Sequence, residues 1–148
     1  MRTVIQRVKK ASVIINGGEK REIAEGLVVL AAFGKSDTPE ICRKMFEKIK
    51  NMRIFSNSEG KFDNSVVNIN GAVLIVSQFT LYADCKRGTR PDFMQAASFD
   101  EGKKLYEEFL AAVKASGLKF ESGEFGADML VELQNDGPVT IILDSDNI

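Results

Sequence analysis

Apolar residues alternate with polar ones or run together in short stretches along most of the chain, which predicts strands; twice they recur every three to four residues, which predicts helices. Residues 3–8 and 11–15 read as two strands, and Asn16-Gly17-Gly18 is a hairpin signal leading into a return strand at 19–24. Gly26 opens a continuous apolar run to Phe33, and Asn70-Gly71 opens another over residues 72–76. Unbroken runs of this kind suit strands buried on both faces, so the second predicts a central strand. Residues 52–55 form a short strand candidate, Asn57-Ser58-Glu59-Gly60 a turn, and residues 62–68 an irregular or partly extended segment. The last strands fall at 120–122, 130–134 and 139–143, the final two joined by Asn135-Asp136-Gly137-Pro138.

The first helix starts at Asp37-Thr38-Pro39-Glu40, where Asp37 or Thr38 can cap, proline suits the first turn, and an acid suits the helix dipole. Ile41, Met45 and Ile49, with Cys42 and Phe46 beside them, give it one apolar face. The second helix follows the capping-box spacing of Ser98 and Glu101, carries Leu105, Phe109, Ala112 and Val113 on one face, and stops at Gly117. Strands and helices do not alternate strictly, which predicts an α+β fold with a mixed sheet and two main helices.

At 148 residues, with 44% hydrophobic and 28% charged, the chain is expected to form one globular domain over 1–148. No apolar run approaches the roughly 20 residues that span a bilayer, and the start lacks a signal peptide's apolar segment, so a soluble cytoplasmic protein is expected. Cys42 and Cys85 have no bridging or zinc-site spacing and are expected to be free thiols.

Histidine is absent. That removes Ser-His-Asp and Cys-His arrangements and the commonest zinc ligand at once. What remains is a carboxylate pair, a lysine base, a weakly activated hydroxyl, or main-chain dipoles acting with the substrate's own groups. Asp144 and Asp146 are two acids near a chain end, to which no metal is assigned. The net charge of −1 argues against a broad nucleic-acid-coating surface, although Lys86, Arg87 and Arg90 form either a small anion-binding patch or a solvated loop.

Two stretches carry candidate chemistry. Ser77-Gln78-Phe79-Thr80 places two hydroxyls and an amide at the exit of the central strand, although such residues also serve as plain strand-end caps. Asp136-Gly137 reads as a hairpin turn, yet Pro138 removes a donor that the returning strand needs. A Gly-Pro bond in a tight turn is a candidate for the cis isomer, with trans the ordinary state. The cis form would turn both neighbouring carbonyls the same way, as a pair able to accept hydrogen bonds from an ammonium group.

Ser77-Gln78-Phe79-Thr80-Leu81 and Asn135-Asp136-Gly137-Pro138-Val139-Thr140 resemble the two signature motifs of the D-aminoacyl-tRNA deacylases, formerly called D-tyrosyl-tRNA deacylases. Residues 2–13, Lys48-Ile49-Lys50-Asn51-Met52-Arg53-Ile54-Phe55, residues 88–93 and Phe125-Gly126-Ala127-Asp128-Met129 resemble the family in order and spacing, so the likeness covers essentially the whole chain. It implies a partly barrel-like sheet and a homodimer that hydrolyses the ester between a D-amino acid, or glycine, and the 3′-terminal adenosine of tRNA, sparing L-aminoacyl-tRNA and needing no cofactor.

By the same resemblance Gly137 and Pro138 form a cis dipeptide that enters the partner subunit's site and holds the substrate's α-ammonium. Arg7 fixes that dipeptide, Ser77, Gln78, Phe79 and Thr80 form the catalytic pocket floor, and Phe125, Gly126, Ala127 and Met129 receive the terminal adenine. Asp92 and Phe62-Asp63-Asn64 depart from the family pattern, and Asp92 would weaken the basic loop's attraction for phosphate. Water assisted by substrate and backbone ranks above Thr80 as a covalent nucleophile, because Thr80 has no evident base. Two rival readings are a noncatalytic module that binds tRNA ends or nucleotides, and a threonine-nucleophile hydrolase of a small ester or amide.

Overall fold

The longest ladders belong to β1, Arg2–Ile15, which pairs antiparallel with three strands in the computed structural model, where residues 1–148 are all described. Its first half pairs with β3, Gly26–Ala32, and its second half with β2, Glu19–Ile23. Along its other edge runs β8, Met129–Asp144. Parallel to β3 lies β6, Ala72–Ser77, and parallel to β6 lies β7, Lys119–Ser122, giving the order β2-β1-β3-β6-β7 with β8 on β1. The sheet curls until β2 approaches β7. No ladder joins these two strands in the barrel-like sheet; Arg21 Nη1 instead donates to the Ser122 carbonyl at 2.6 Å.

Two cores follow from the alternation of side chains on the curled sheet. Val8, Val13, Val28, Leu74 and Val76 fill the interior of the curl. Ile5, Leu27, Val29, Val73 and Ile75 face the helices instead. Helix α1, Pro39–Lys50, is capped by Thr38 Oγ1 accepting from the Ile41 amide at 3.3 Å, and it buries Cys42, Met45, Phe46 and Ile49. Helix α2, Phe99–Ala115, starts in the Ser98/Glu101 capping box and buries Leu105, Tyr106, Phe109 and Val113. Phe109 meets both Phe33 and Phe46 edge-on, at centroid separations of 6.4 and 5.8 Å. Burying each such ring stabilises the fold by about 1.5–3 kcal/mol. No helix is long and apolar enough to cross a membrane.

Three expectations change. Residues 3–8 and 11–15 are one strand, because Lys9 and Lys10 sit in a bulge of β1 that shifts its register against β8 between Val8 and Ala11. Residues 130–134 and 139–143 are likewise one strand, since both halves of β8 pair with β1 and the chain never reverses at Asn135-Asp136-Gly137-Pro138. The strand foreseen at 52–55 shrinks to β4, Phe55–Ser56, paired with β5, Phe62–Asn64, inside the segment read as irregular or partly extended. Cys42 is a buried free thiol and Cys85 an exposed one.

Candidate active site

Strand β6 is held on both sides by parallel neighbours and stays in the sheet to Ser77, level with Ala31 of β3. The Gln78 amide still donates to the Ala31 carbonyl at 2.8 Å, after which the chain leaves the sheet as a 3₁₀ turn, Phe79–Tyr82. The first amides of a helical turn have no partner within it. Those of Phe79 and Thr80 donate to no other atom of the chain, whereas Leu81 donates to the Gln78 carbonyl at 3.1 Å. Gln78 Nε2 donates to Thr80 Oγ1 at 2.5 Å, the one hydrogen bond that this hydroxyl makes.

A cavity of about 550 Å³ opens beside this turn, lined by Ala31, Ala32, Phe33, Val76, Ser77, Gln78 and Phe79 on one side. Ala97, Ser98, Phe99 and Gly102 of the α2 start line it further, and Phe125, Gly126, Ala127, Asp128, Met129 and Val131 close it. Its size suits a small ligand or the end of a larger one. Asp128 is the one ionisable side chain on its wall. No three of the chain's Cys, Asp and Glu side chains converge as metal ligands would.

The 123–128 wall is fixed from three directions. The Gly123 amide donates to the Ile75 carbonyl at 2.8 Å, and the Asn16 amide donates to the Asp128 carbonyl at 2.8 Å. Phe125 lies between Tyr106 and Phe99, at centroid separations of 5.7 and 5.3 Å. Gly126 has φ +79°, and a Cβ there would stand 2.8 Å from Phe99 Cε2, so this position requires glycine. Behind the wall the Tyr106 hydroxyl lies within hydrogen-bond reach of two carbonyls, and burial raises its pKa far above the ordinary tyrosine range, so it remains a donor.

Arg7 belongs to a second cluster. Gln6 faces Thr140 and Val8 faces Asn135 across the β1–β8 ladder, so residues 136–139 stand opposite Arg7 alone and bulge outward. The buried guanidinium fills the gap, with Nε donating to the Asp136 carbonyl at 3.0 Å, Nη1 donating to the Ile54 carbonyl at 2.6 Å, and the Phe62 ring 5.3 Å away. Asn135 closes the neck, accepting from the Val139 amide at 2.7 Å and donating to Thr140 Oγ1 at 2.8 Å. At the exposed tip Gly137 has φ +131° and the Gly137-Pro138 bond is cis, the isomer that the resemblance implies, against the general trans default.

The cavity thus brings together Ser77, Gln78, Phe79, Phe125, Gly126, Ala127 and Met129, while Thr80, Arg7, Gly137 and Pro138 do not line it. Gly137 lies three strand spacings from β6 and about four residues below the level of Ser77, on the order of 20 Å from it. The sequence reading missed Phe99, whose place at the first turn of α2 follows from the capping box, and gave no role to Asp128, which lies inside the recognised 125–129 segment. Asp144 is already engaged, accepting from Arg2 Nε at 2.8 Å and from the Asp146 amide at 3.1 Å.

The D-Tyr-tRNA(Tyr) deacylase family model matches residues 4–144. A D-aminoacyl-tRNA deacylase of Thermosipho africanus is 53% identical over 100% of this chain and 99% of its own length. A protein of the same name from Clostridium botulinum is 52% identical, over 98% of this chain and 97% of its own length. Among solved structures, the c-Myc DNA Unwinding Element Binding Protein superposes with a TM-score of 0.90 at 39% identity, over 97% of this chain and 98% of that one. A probable eukaryotic D-amino acid tRNA deacylase shares the fold, with a TM-score of 0.85 at 20% identity over 96% of this chain and 97% of that one.

Proposed function

The chain belongs to the D-Tyr-tRNA(Tyr) deacylase family, and from that premise we propose that it hydrolyses the ester joining a D-amino acid to the 3′-terminal adenosine of tRNA, releasing free tRNA. It acts in the cytoplasm as a chiral proofreader, takes glycyl esters as well, and leaves L-aminoacyl-tRNA intact. Residues 1–148 act as a single catalytic domain.

The observation that carries the mechanism is a cavity with a polar strand exit and no imidazole or lysine on its wall, with the unengaged Phe79 amide on a lining residue and the unengaged Thr80 amide on the next residue of the turn. An aminoacyl ester is already activated, so water attack needs no strong base when the developing charge is stabilised. The Phe79 and Thr80 amides donate to the oxyanion; a donor in that role contributes about 3–4 kcal/mol to the barrier drop. Gln78 holds the Thr80 hydroxyl in place, and the substrate's 2′-hydroxyl orients the water. The terminal adenine enters the slot formed by Phe125, Gly126, Ala127 and Met129.

Chirality comes from a second copy of the chain. Gly137 and Pro138 are too far from the cavity of their own subunit and too exposed to be packing residues, which supports their insertion into the cavity of a partner. Exposed Ile142 stands in register with half-buried Val4 and Leu30, an apolar stripe on the same sheet that suits a two-fold interface. The partner's Gly137 and Pro138 then hold the α-ammonium, leaving no room for an L side chain.

Matched D- and L-aminoacyl-tRNA, with one side chain and one tRNA, test this reading. Release of the D form alone is expected. Equal hydrolysis of both makes the protein a general esterase, and binding without turnover makes it a nucleic-acid-end binding module.

A further inference from the structure

Of the chain's arginines, Arg2, Arg7, Arg21, Arg43 and Arg53 each pair with a carboxylate. Arg87 and Arg90 pair with none, and both are exposed on the 84–92 loop. The Asp84 and Asp92 amides donate to each other's carbonyls at 2.8 and 2.9 Å, which pinches the loop shut at its neck. Asp84 Oδ1 accepts from the Lys86 amide at 2.8 Å and Asp92 Oδ1 from the Met94 amide at 2.7 Å, so both acids are engaged with backbone at the neck. Lys86 Nζ makes a long ion pair with Asp84 Oδ2 at 3.9 Å, its side chain still 88% exposed. The loop therefore carries its acids at the base and its cations towards the tip.

The base abuts the cavity. Phe93, the residue after the neck, meets the cavity-lining Phe79 at a centroid separation of 5.0 Å. The loop therefore starts beside one lining residue of the cavity, within reach of a polyanion whose end occupies it.

We propose that Lys86, Arg87 and Arg90 form a phosphate-binding arm that takes the tRNA backbone just upstream of the terminal adenosine, supplying affinity for the polymer and none for the reacting ester. The proposal rests on the reading of the cavity as the aminoacyl-adenosine site. RNA backbone is favoured over an acidic protein because the arm starts at the cavity mouth, and a guanidinium fork matches phosphate oxygens. Such contacts release counterions, so their contribution falls steeply with salt, by about 0.7 in log–log slope for each phosphate on a single strand.

The test compares the wild-type protein with Lys86→Ala/Arg87→Ala/Arg90→Ala. The readouts are kcat/KM on a D-aminoacyl-tRNA and on the matching D-aminoacyl-adenosine, with Kd for the uncharged tRNA, across a salt series. The triple variant is expected to lose roughly tenfold or more on tRNA at low salt, with a slope shallower by about 2. It should keep wild-type hydrolysis of the adenosine ester. Arg87→Lys/Arg90→Lys should retain most of the slope, and Lys114→Ala, an exposed and unpaired lysine near the end of α2, should change nothing. Equal losses on both esters, or an unchanged salt slope, overturn the arm. If the wild-type protein hydrolyses neither ester the hydrolase reading fails, and the arm is then judged by Kd for uncharged tRNA alone.

Discussion

The Tyr106 hydroxyl, on α2, donates to the Gly123 carbonyl at 3.2 Å and lies 3.1 Å from the Ile75 carbonyl, so one phenol holds the end of β7 against β6 directly behind the cavity. Tyr106→Phe leaves the Ile75 carbonyl its bond from the Gly123 amide but strips the Gly123 carbonyl. The variant is expected to lose about 1–2 kcal/mol in urea unfolding. It should also raise KM more than it lowers kcat, because the displaced wall is the one proposed to take the adenine, apart from the strand exit proposed to act on the ester.

Arg7→Ala removes the donor of two carbonyls in a buried gap. A loss of roughly 2–4 kcal/mol is expected, together with deacylation at least tenfold down, since the 136–139 bulge loses its support. Arg7→Lys keeps the charge without the fork. It should regain stability only in part, which thermal unfolding and kcat/KM together measure.

Thr80→Ala should lower kcat by about tenfold or less, because the hydroxyl makes one hydrogen bond and has no base beside it. Loss of a true nucleophile costs on the order of a millionfold. Rapid-quench analysis for an acyl-enzyme decides the matter: a trapped ester on Thr80 establishes covalent catalysis, and complete inactivity with normal binding favours it.

Gly126→Ala drives a methyl group into Phe99 at a backbone angle that alanine adopts poorly. The strain is on the order of 1–2 kcal/mol, and it falls on the wall assigned to the adenine. KM should rise several-fold while kcat stays near wild type, and a smaller residue at position 99 should relieve part of the effect.

Burial raises the Cys42 thiol from its usual value to about 12, with the Asp37 carboxylate adding to the effect. The unfolded chain sheds this proton near pH 9 and the folded one near pH 12, so between those values the folded state binds more protons and stability must fall as pH rises. One such group contributes about 1.4 kcal/mol per pH unit. Urea titrations at pH 8 to 11 should show that slope, shallower by up to one proton in Cys42→Ala.

Periodicity located both helices, the β3 and β6 runs, and the capping box that sets Phe99 at the cavity. It split β1 at Lys9-Lys10 because two adjacent polar residues look like a break, whereas a bulge absorbs the extra residue and pairing resumes at Ala11. It misread β8 for a related reason: Asn-Asp-Gly-Pro has the chemistry of a reversal, and only the partner strand reveals that both flanks continue in one direction. The cavity-lining motifs were legible because strand exits and glycine turns leave local signals. Their convergence with Ala31, Ala97 and Val131 was not, since it comes from the curl of the sheet and no local pattern encodes that.

Arg21 closes the sheet where a ladder would otherwise run, and a seam held by one side chain opens more readily than a row of amide bonds. Backbone amides of β2 and β7 should exchange with deuterium well before those of β3 and β6, whose neighbours flank them on both sides. The 123–128 segment, part of which walls the cavity, begins one residue after Ser122, so exchange at this seam should be read at one end of the cavity.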